Sequence, residues 1–347
     1  MKQTELKISP GMRVLVTGAT GFTGSVLVRK LVKQGVNVVA LARSSSNLKP
    51  FEDLPIEWIR GDVFDEEIVK KAVKGANYIF HLATPYREAK LADSGFYQVH
   101  VLSTQLLAQA ALNELNFNRF VHVSTVGVHG HIEHPPADEN YPMEPGDIYQ
   151  KTKVEAELWL RHFAKEKDLA IAVVRPAAIY GYGDKRLLKL FKMVSRQWIP
   201  VIGEGDHLYH LIHVEDLTDF LIHTAVHPQA VGEVFICGSK EAISFQKMVT
   251  IISDYYQLQV KFVKLPAAPL FALSDVVELV CKPLGIEPPI YRRRLAFFTK
   301  DRAFNTEKMR NLVEFLPNYS DEEGLRKTAQ WYLERGWVSP QKKLVSS

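Results

Sequence analysis

Residues Arg13–Gly24 read RVLVTGATGFTG. The first five form a β-branched apolar run, the pattern of a strand buried on both faces. Glycines at 18, 21 and 24 follow at once, and the helical spacing of Val26, Leu27, Leu31 and Val32 comes next. This strand, glycine turn and helix suit a diphosphate. One glycine makes the tight turn, one lets a phosphate approach the backbone, and one lets helix and strand pack closely. The free N–H groups and positive dipole end of the helix complete such a cradle. The segment predicts a dinucleotide site and a Rossmann-type α/β fold.

The pattern repeats outward from this unit. Val36–Leu41, Ile56–Arg60, Tyr78–Leu82, Phe120–Ser124 and Ile171–Arg175 read as strands. Helical patterns lie between them at Asp65–Lys74, Val99–Leu115 and about 150–166. Strands alternating with helices imply a doubly wound parallel sheet covered on both faces. Beyond Ile179 the rhythm breaks and prolines punctuate the chain. The expected organisation is a dinucleotide-binding domain over 1–178 with a return at about 211–238. A smaller, mostly helical C-terminal substrate lobe takes 179–210 and 239–340. The apolar stretch Leu265–Leu284, interrupted by Asp275, Glu278 and Lys282, reads as a buried or substrate-covering helix. Shallow membrane contact is the sharper alternative.

The chain has 347 residues, a formal net charge of +4 and two cysteines. That small charge, with no concentrated basic face, argues against a nucleic-acid partner. Cys237 and Cys281 suggest neither a disulfide framework nor a zinc site, which fits a reduced, cytoplasmic setting. No apolar run is long enough for an integral membrane segment. The histidines at 129, 131 and 134 with Glu133, and those at 207, 210 and 213, lack helical metal-ligand spacing, so no metal is expected.

Two further patterns carry chemistry. Strand two ends in Leu41-Ala42-Arg43 followed by serines at 44 and 45, where an NAD site would place an acid for the ribose hydroxyls. Arg43 suits a 2′-phosphate, so NADP is the preferred cofactor and NAD the alternative. Gly61-Asp62-Val63 is placed to meet the adenine, and Asp62 is also a candidate cap for the next helix. Tyr149-Gln-Lys-Thr-Lys153 puts a phenol and an amine on one helical face. The ammonium and an oxidised nicotinamide would lower the phenol's pKa from about 10, so Tyr149 could take or return an alcohol proton. Upstream, Ser124 and Thr125 end a strand at the sheet's carboxyl edge. Thr125, and less so Ser124, could bond the substrate oxygen.

Together these motifs resemble the extended short-chain dehydrogenase/reductase superfamily, the NAD-dependent epimerase/dehydratase family. The resemblance extends through His81-Leu82-Ala83, Ser124–Gly130, Arg175–Asp184 (RPAAIYGYGD), Ile212–Leu217 (IHVEDL) and Phe298–Trp337. It implies Thr125, Tyr149 and Lys153 as the catalytic set, with Ser124 beside them. Thr125 is favoured because it lies four residues before His129, where the family has a tyrosine. Cofactor contacts are implied at Gly18, Thr20, Gly21, Phe22, Thr23, Gly24, Arg43, Asp62, Val63, Leu82, Ala83, Thr84, Tyr149, Lys153, Pro176 and Ile179. Substrate contacts are implied at Pro85, Thr125, Tyr149, Ala178 and Tyr209.

Nucleotide-sugar members usually carry asparagine where this chain has Ala178, and often arginine where it has Tyr209. Losing both diphosphate contacts makes the chain look more like the 3β-hydroxysteroid dehydrogenase and dihydroflavonol reductase branch. The expected reaction is hydride transfer at an alcohol or ketone of a largely apolar small molecule. A nucleotide-sugar epimerase or dehydratase is the alternative. His100 stands where the family has an asparagine that orders the site, and reads as a replacement bond, a proton relay or a structural histidine. Family members often dimerise through two helices like those near 99–115 and 150–166, so a homodimer is expected.

Overall fold

A computed structural model describes residues 6–85, 92–281 and 301–340. Strand β1 (Arg13–Thr17) lies between β2 (Asn37–Ala42) and β4 (Tyr78–His81), parallel to both. β3 (Ile56–Arg60) extends the sheet beyond β2. On the other side β5 (Arg119–Val123), β6 (Ile171–Pro176) and β11 (Val234–Cys237) follow β4, all parallel. The order β11-β6-β5-β4-β1-β2-β3 reverses direction between β1 and β4. At such a switch point the two connections leave on opposite faces and open a crevice beyond the strands' carboxyl ends.

Helices cover both faces, as the buried strands require. On one face α1 (Phe22–Lys33) and α7 (Val214–Val226) bury Leu27, Leu31, Leu217 and Phe220 with Val14 and Val16. On the other, α2 (Glu66–Val73), α4 (Ser103–Ala111) and α5 (Ile148–Lys167) bury Val69, Leu107 and Leu160 with Leu15 and Phe120. A separate core unites α6 (Leu188–Ser195), β8 (Trp198–Ile202), α8 (Phe245–Tyr256) and α11 (Asp321–Glu334). Short pairs join β7 (Ala178–Tyr180) to β10 (Leu211–His213), and β9 (Leu208–Tyr209) to β12 (Ile243–Ser244). β13 (Lys261–Leu265) pairs with β8 and leads into α9 (Ala267–Cys281).

Several expectations need correction. The predicted helix over Val99–Leu115 starts earlier and stops sooner. α3 (Asp93–Tyr97) passes through a π turn (Gln98–Leu102) into α4. Asp62 does not cap α2; Asp65 does, accepting from the backbone N–H groups of Glu67 and Ile68 at 3.0 and 3.2 Å. The chain also returns to the first core once more than expected. α10 (Glu307–Val313) packs on β11, and Met309, Val313 and Phe315 join the core of α1 and α7. Finally, α9 is not a buried helix. Ser274 is its one buried residue, while Leu273, Val276, Leu279 and Val280 are exposed. Residues 282–284 of that stretch, and the closing motif before Asp301, lie outside the described residues. No described helix is long and apolar enough to cross a membrane.

Candidate active site

The glycine turn leaves β1 into the switch-point crevice. Gly18 has φ +72°, and a Cβ there would sit 2.8 Å from the carbonyl carbon of Leu82. A Cβ on Gly24 would strike the Gly18 carbonyl oxygen. Only glycine therefore lets α1 start this close to β1 and to the loop after β4. Gly21 caps α1 without a side-chain bond, and no acid occupies the first turn. The helix start thus keeps backbone donors and positive potential for an anion. These residues fit a dinucleotide diphosphate.

Arg43 follows the end of β2 and is exposed, with Ser44 and Ser45 exposed beside it. Arg60, which the sequence reading missed, reaches across from β3. It donates to the carbonyls of Arg43 and Ser46 at 2.8 and 2.9 Å and so shapes this turn. Its only sequence signal was a second arginine at a strand end. Asp62 is exposed and Val63 buried just beyond.

α5 presents the proton-transfer pair. Asp147 caps it, accepting from Gln150 N at 2.7 Å. Tyr149 therefore sits in the first turn, with Lys153 one turn further along the same face. Lys153 is 3% exposed, and its Nζ donates to the Val123 carbonyl at 2.9 Å, at the carboxyl end of β5. Burial pulls its pKa down to about 8, partly offset by Glu157. The amine remains mostly charged at neutral pH.

Ser124 and Thr125 are neighbours with different surroundings. Ser124 Oγ is buried and donates to Glu157 Oε2 at 2.6 Å. Glu157 also receives Arg175 through Nε at 3.1 Å and Nη2 at 2.5 Å, both side chains being fully buried. Thr125 is half-buried with extended backbone, and its Oγ1 accepts from Gly127 N at 3.0 Å. As an acceptor there, it keeps its own proton to offer elsewhere.

Two buried histidines organise the helix opposite α5. His81 joins Thr17 Oγ1 at 2.7 Å and Ser103 Oγ at 3.1 Å. His100, in the π turn, joins Thr84 Oγ1 at 2.9 Å and Thr152 Oγ1 at 2.8 Å, and its ring meets Tyr149 nearly edge-on at 5.3 Å. Burial, then the Lys153 charge, drives their pKa values down to about 3 and about 2, so both rings are neutral. Thr152 lies between Tyr149 and Lys153 in sequence, and nothing in the pattern had marked it. His122 is also buried, and neither of its ring nitrogens meets a partner.

Leu82 and Pro85 are half-buried, Ala83 is buried and Thr84 exposed at the crevice; Pro176 is buried, Ile179 half-buried and Ala178 exposed. Tyr209 points into the lobe core against Phe245, its phenol pushed up to about 12 by burial. Three of the clustered histidines make contacts within the fold. His129 bonds the Tyr141 carbonyl and Arg175, His210 bonds the Ser239 carbonyl, and His213 caps α7. No group of three or more potential metal ligands converges among the described residues.

Residues 14–238 match the NAD dependent epimerase/dehydratase family. The chain belongs to that family. Among its relatives, a dTDP-glucose 4,6-dehydratase of Streptomyces niveus is 29% identical, covering 95% of this chain and 96% of its own. Isoform 2 of the 3beta-hydroxysteroid-dehydrogenase/decarboxylase of Arabidopsis thaliana is 26% identical over 90% of this chain, which spans 61% of that longer protein. In three dimensions the epimerase Mth375 of Methanothermobacter thermautotrophicus aligns with TM-score 0.76 and 26% identity, covering 94% of both chains. The chain is thus an extended short-chain dehydrogenase/reductase, whose relatives include both steroid and nucleotide-sugar enzymes.

Proposed function

We propose that this family member transfers a hydride between NADP and a secondary alcohol or ketone on a largely apolar substrate. NAD is the alternative cofactor. The observation that carries the reading is Tyr149 and Lys153 on the first turns of α5, with the ammonium held at the carboxyl end of β5. The bound nicotinamide would supply or accept the hydride. Tyr149 takes the alcohol proton in oxidation and returns it in reduction. The Lys153 charge favours the phenolate that this requires. Thr125 offers its hydroxyl proton to the substrate oxygen and orients it. Ser124 stays in the buried Glu157–Arg175 group.

Three features favour an apolar NADP substrate pair. No acid follows β2, and Arg43 stands there on a turn braced by Arg60. Ala178 and the inward-facing Tyr209 offer no charge to a nucleotide diphosphate. The exposed apolar residues of α9 suit a greasy substrate or contact with a membrane surface that delivers it. The nucleotide-sugar reading rests on the 29% identity to a dTDP-glucose dehydratase. In that case the oxidised cofactor would be reduced and then oxidised again within one turnover. Incubation with NADPH and a panel of sterol-like and polyphenol-like ketones separates the two. Net NADPH loss that disappears in Tyr149→Phe supports the first reading; conversion of a dTDP- or UDP-sugar supplied with oxidised NAD(P), without net reduction of the cofactor, replaces it. Exposed Leu112 and Leu158, beside α4 and on α5, favour a homodimer through this face, which light scattering would test.

A further inference from the structure

The His100 hydrogen bonds have a direction. Thr152 Oγ1 lies 2.8 Å from the Ile148 carbonyl and 3.2 Å from that of Tyr149, so its single proton is spent on its own helix. Towards His100 it can therefore only accept, and His100 Nδ1–H donates. The neutral ring then leaves Nε2 as an acceptor, and the Thr84 hydroxyl donates to it. Thr104 Oγ1 donates to the His100 carbonyl at 2.6 Å, within a π turn that differs from the helix on either side. One-turn π segments often mark functional positions.

We propose that His100 is a positioning residue. The chain Thr84 to His100 to Thr152 ties the first turn of α5, and with it Tyr149, to the loop after β4. It acts as a neutral strut and carries no proton during turnover. The inference rests on Tyr149 being the acid–base group. A further consequence is that Thr84, exposed at the crevice and donating inward, presents only lone pairs to a ligand. It therefore selects a hydroxyl or N–H donor on cofactor or substrate.

The test uses the whole protein saturated with NADP. Tyr149 ionisation is read as the phenolate absorbance of the parent minus that of Tyr149→Phe across pH 6–11, which needs no substrate. His100→Ala and Thr152→Val should each raise the Tyr149 midpoint. Both should also lower kcat on an accepted ketone roughly tenfold with KM little changed, since small misplacements at a reacting group cost rate more than binding. His100→Asn keeps a side-chain N–H for Thr152 and should restore both to within a few-fold, although an amide cannot relay a proton. The proposal is overturned if His100→Asn is as impaired as His100→Ala while melting temperature and NADP affinity match the parent. It is also overturned if Thr152→Val and His100→Ala leave the Tyr149 midpoint unmoved. If the parent itself shows no phenol titrating below that of free tyrosine, the acid–base assignment of Tyr149 fails, a result separate from either outcome.

Discussion

Two polar clusters flank α5, and they are built on opposite principles. The core-side cluster of Ser124, Glu157, Arg175 and His129 is charged, closed and fully buried. Arg175 spends its donors on Glu157, His129 and the Glu139 carbonyl, and Ser124 completes the carboxylate. The crevice-side cluster of Thr84, His100, Thr152, Tyr149 and Lys153 is neutral apart from one ammonium, and it ends at an exposed hydroxyl. An ion pair whose buried carboxylate takes three hydrogen bonds holds strands and helix in one arrangement. A chain that stops at the surface leaves bonding capacity for a ligand. Two hydroxyls one residue apart, Ser124 and Thr125, thus fall on different sides of the division between fold and chemistry.

The sharpest way to break this comparison is at Tyr149. Tyr149→Phe should lower kcat by about 10²–10⁴-fold, the usual worth of general acid–base catalysis. Cofactor affinity and melting temperature should hold. A fully active variant would leave the crevice cluster with no chemical task.

Lys153→Met should lose comparable activity yet gain stability. A lysine pKa held near 8 by burial means the folded state resists the charge. Relative to about 10.4 in the unfolded chain, that is a cost of about 3 kcal/mol at neutral pH. Urea denaturation at pH 7 should find the methionine variant at least as stable as the parent. A marked loss would mean that the Val123 bond outweighs the cost of burial.

The neighbours Ser124 and Thr125 sharpen the contrast at smaller scale. Ser124→Ala removes a bond to a buried carboxylate and should cost about 1–3 kcal/mol of stability with kcat within a few-fold. Thr125→Val should do the reverse, lowering kcat while costing about 1 kcal/mol for the lost Gly127 bond. Urea midpoints and steady-state rates on both variants decide the matter. If Ser124→Ala lost activity without losing stability, the two roles would be exchanged.

The last expected effect concerns acid. The folded pKa of His100 is depressed to about 2 against about 6.5 unfolded. Its contribution to stability is complete above pH 6.5 and is lost as pH falls, because the unfolded chain takes up the proton. His100→Asn should therefore flatten the acid loss between pH 6 and pH 4 by about 1.4 kcal/mol per pH unit. The buried carboxyls of Asp216 and Asp321, raised to about 6 and about 7 by burial, titrate in the opposite sense but equally in both proteins. Urea midpoints at pH 6, 5 and 4 measure the difference in slope.

Much of the molecule could be read from local order alone. The run Arg13–Gly24 specifies strand, turn and helix because β-branched residues, close-approach glycines and a helical apolar stripe act over a few residues. The four-residue spacing of Tyr149 and Lys153 specifies a shared helical face for the same reason. Tertiary structure alone decided the rest. It chose Asp65 over Asp62 as the cap of α2, returned Met309, Val313 and Phe315 to the first core, and left the apolar side of α9 exposed. It also directed Ser124 inward to Glu157 and joined Thr84, His100 and Thr152 across 16 and 52 residues of chain. A hydroxyl or an imidazole has no intrinsic task. Its protonation, tautomer and role come from partners that only the folded chain brings within about 3 Å.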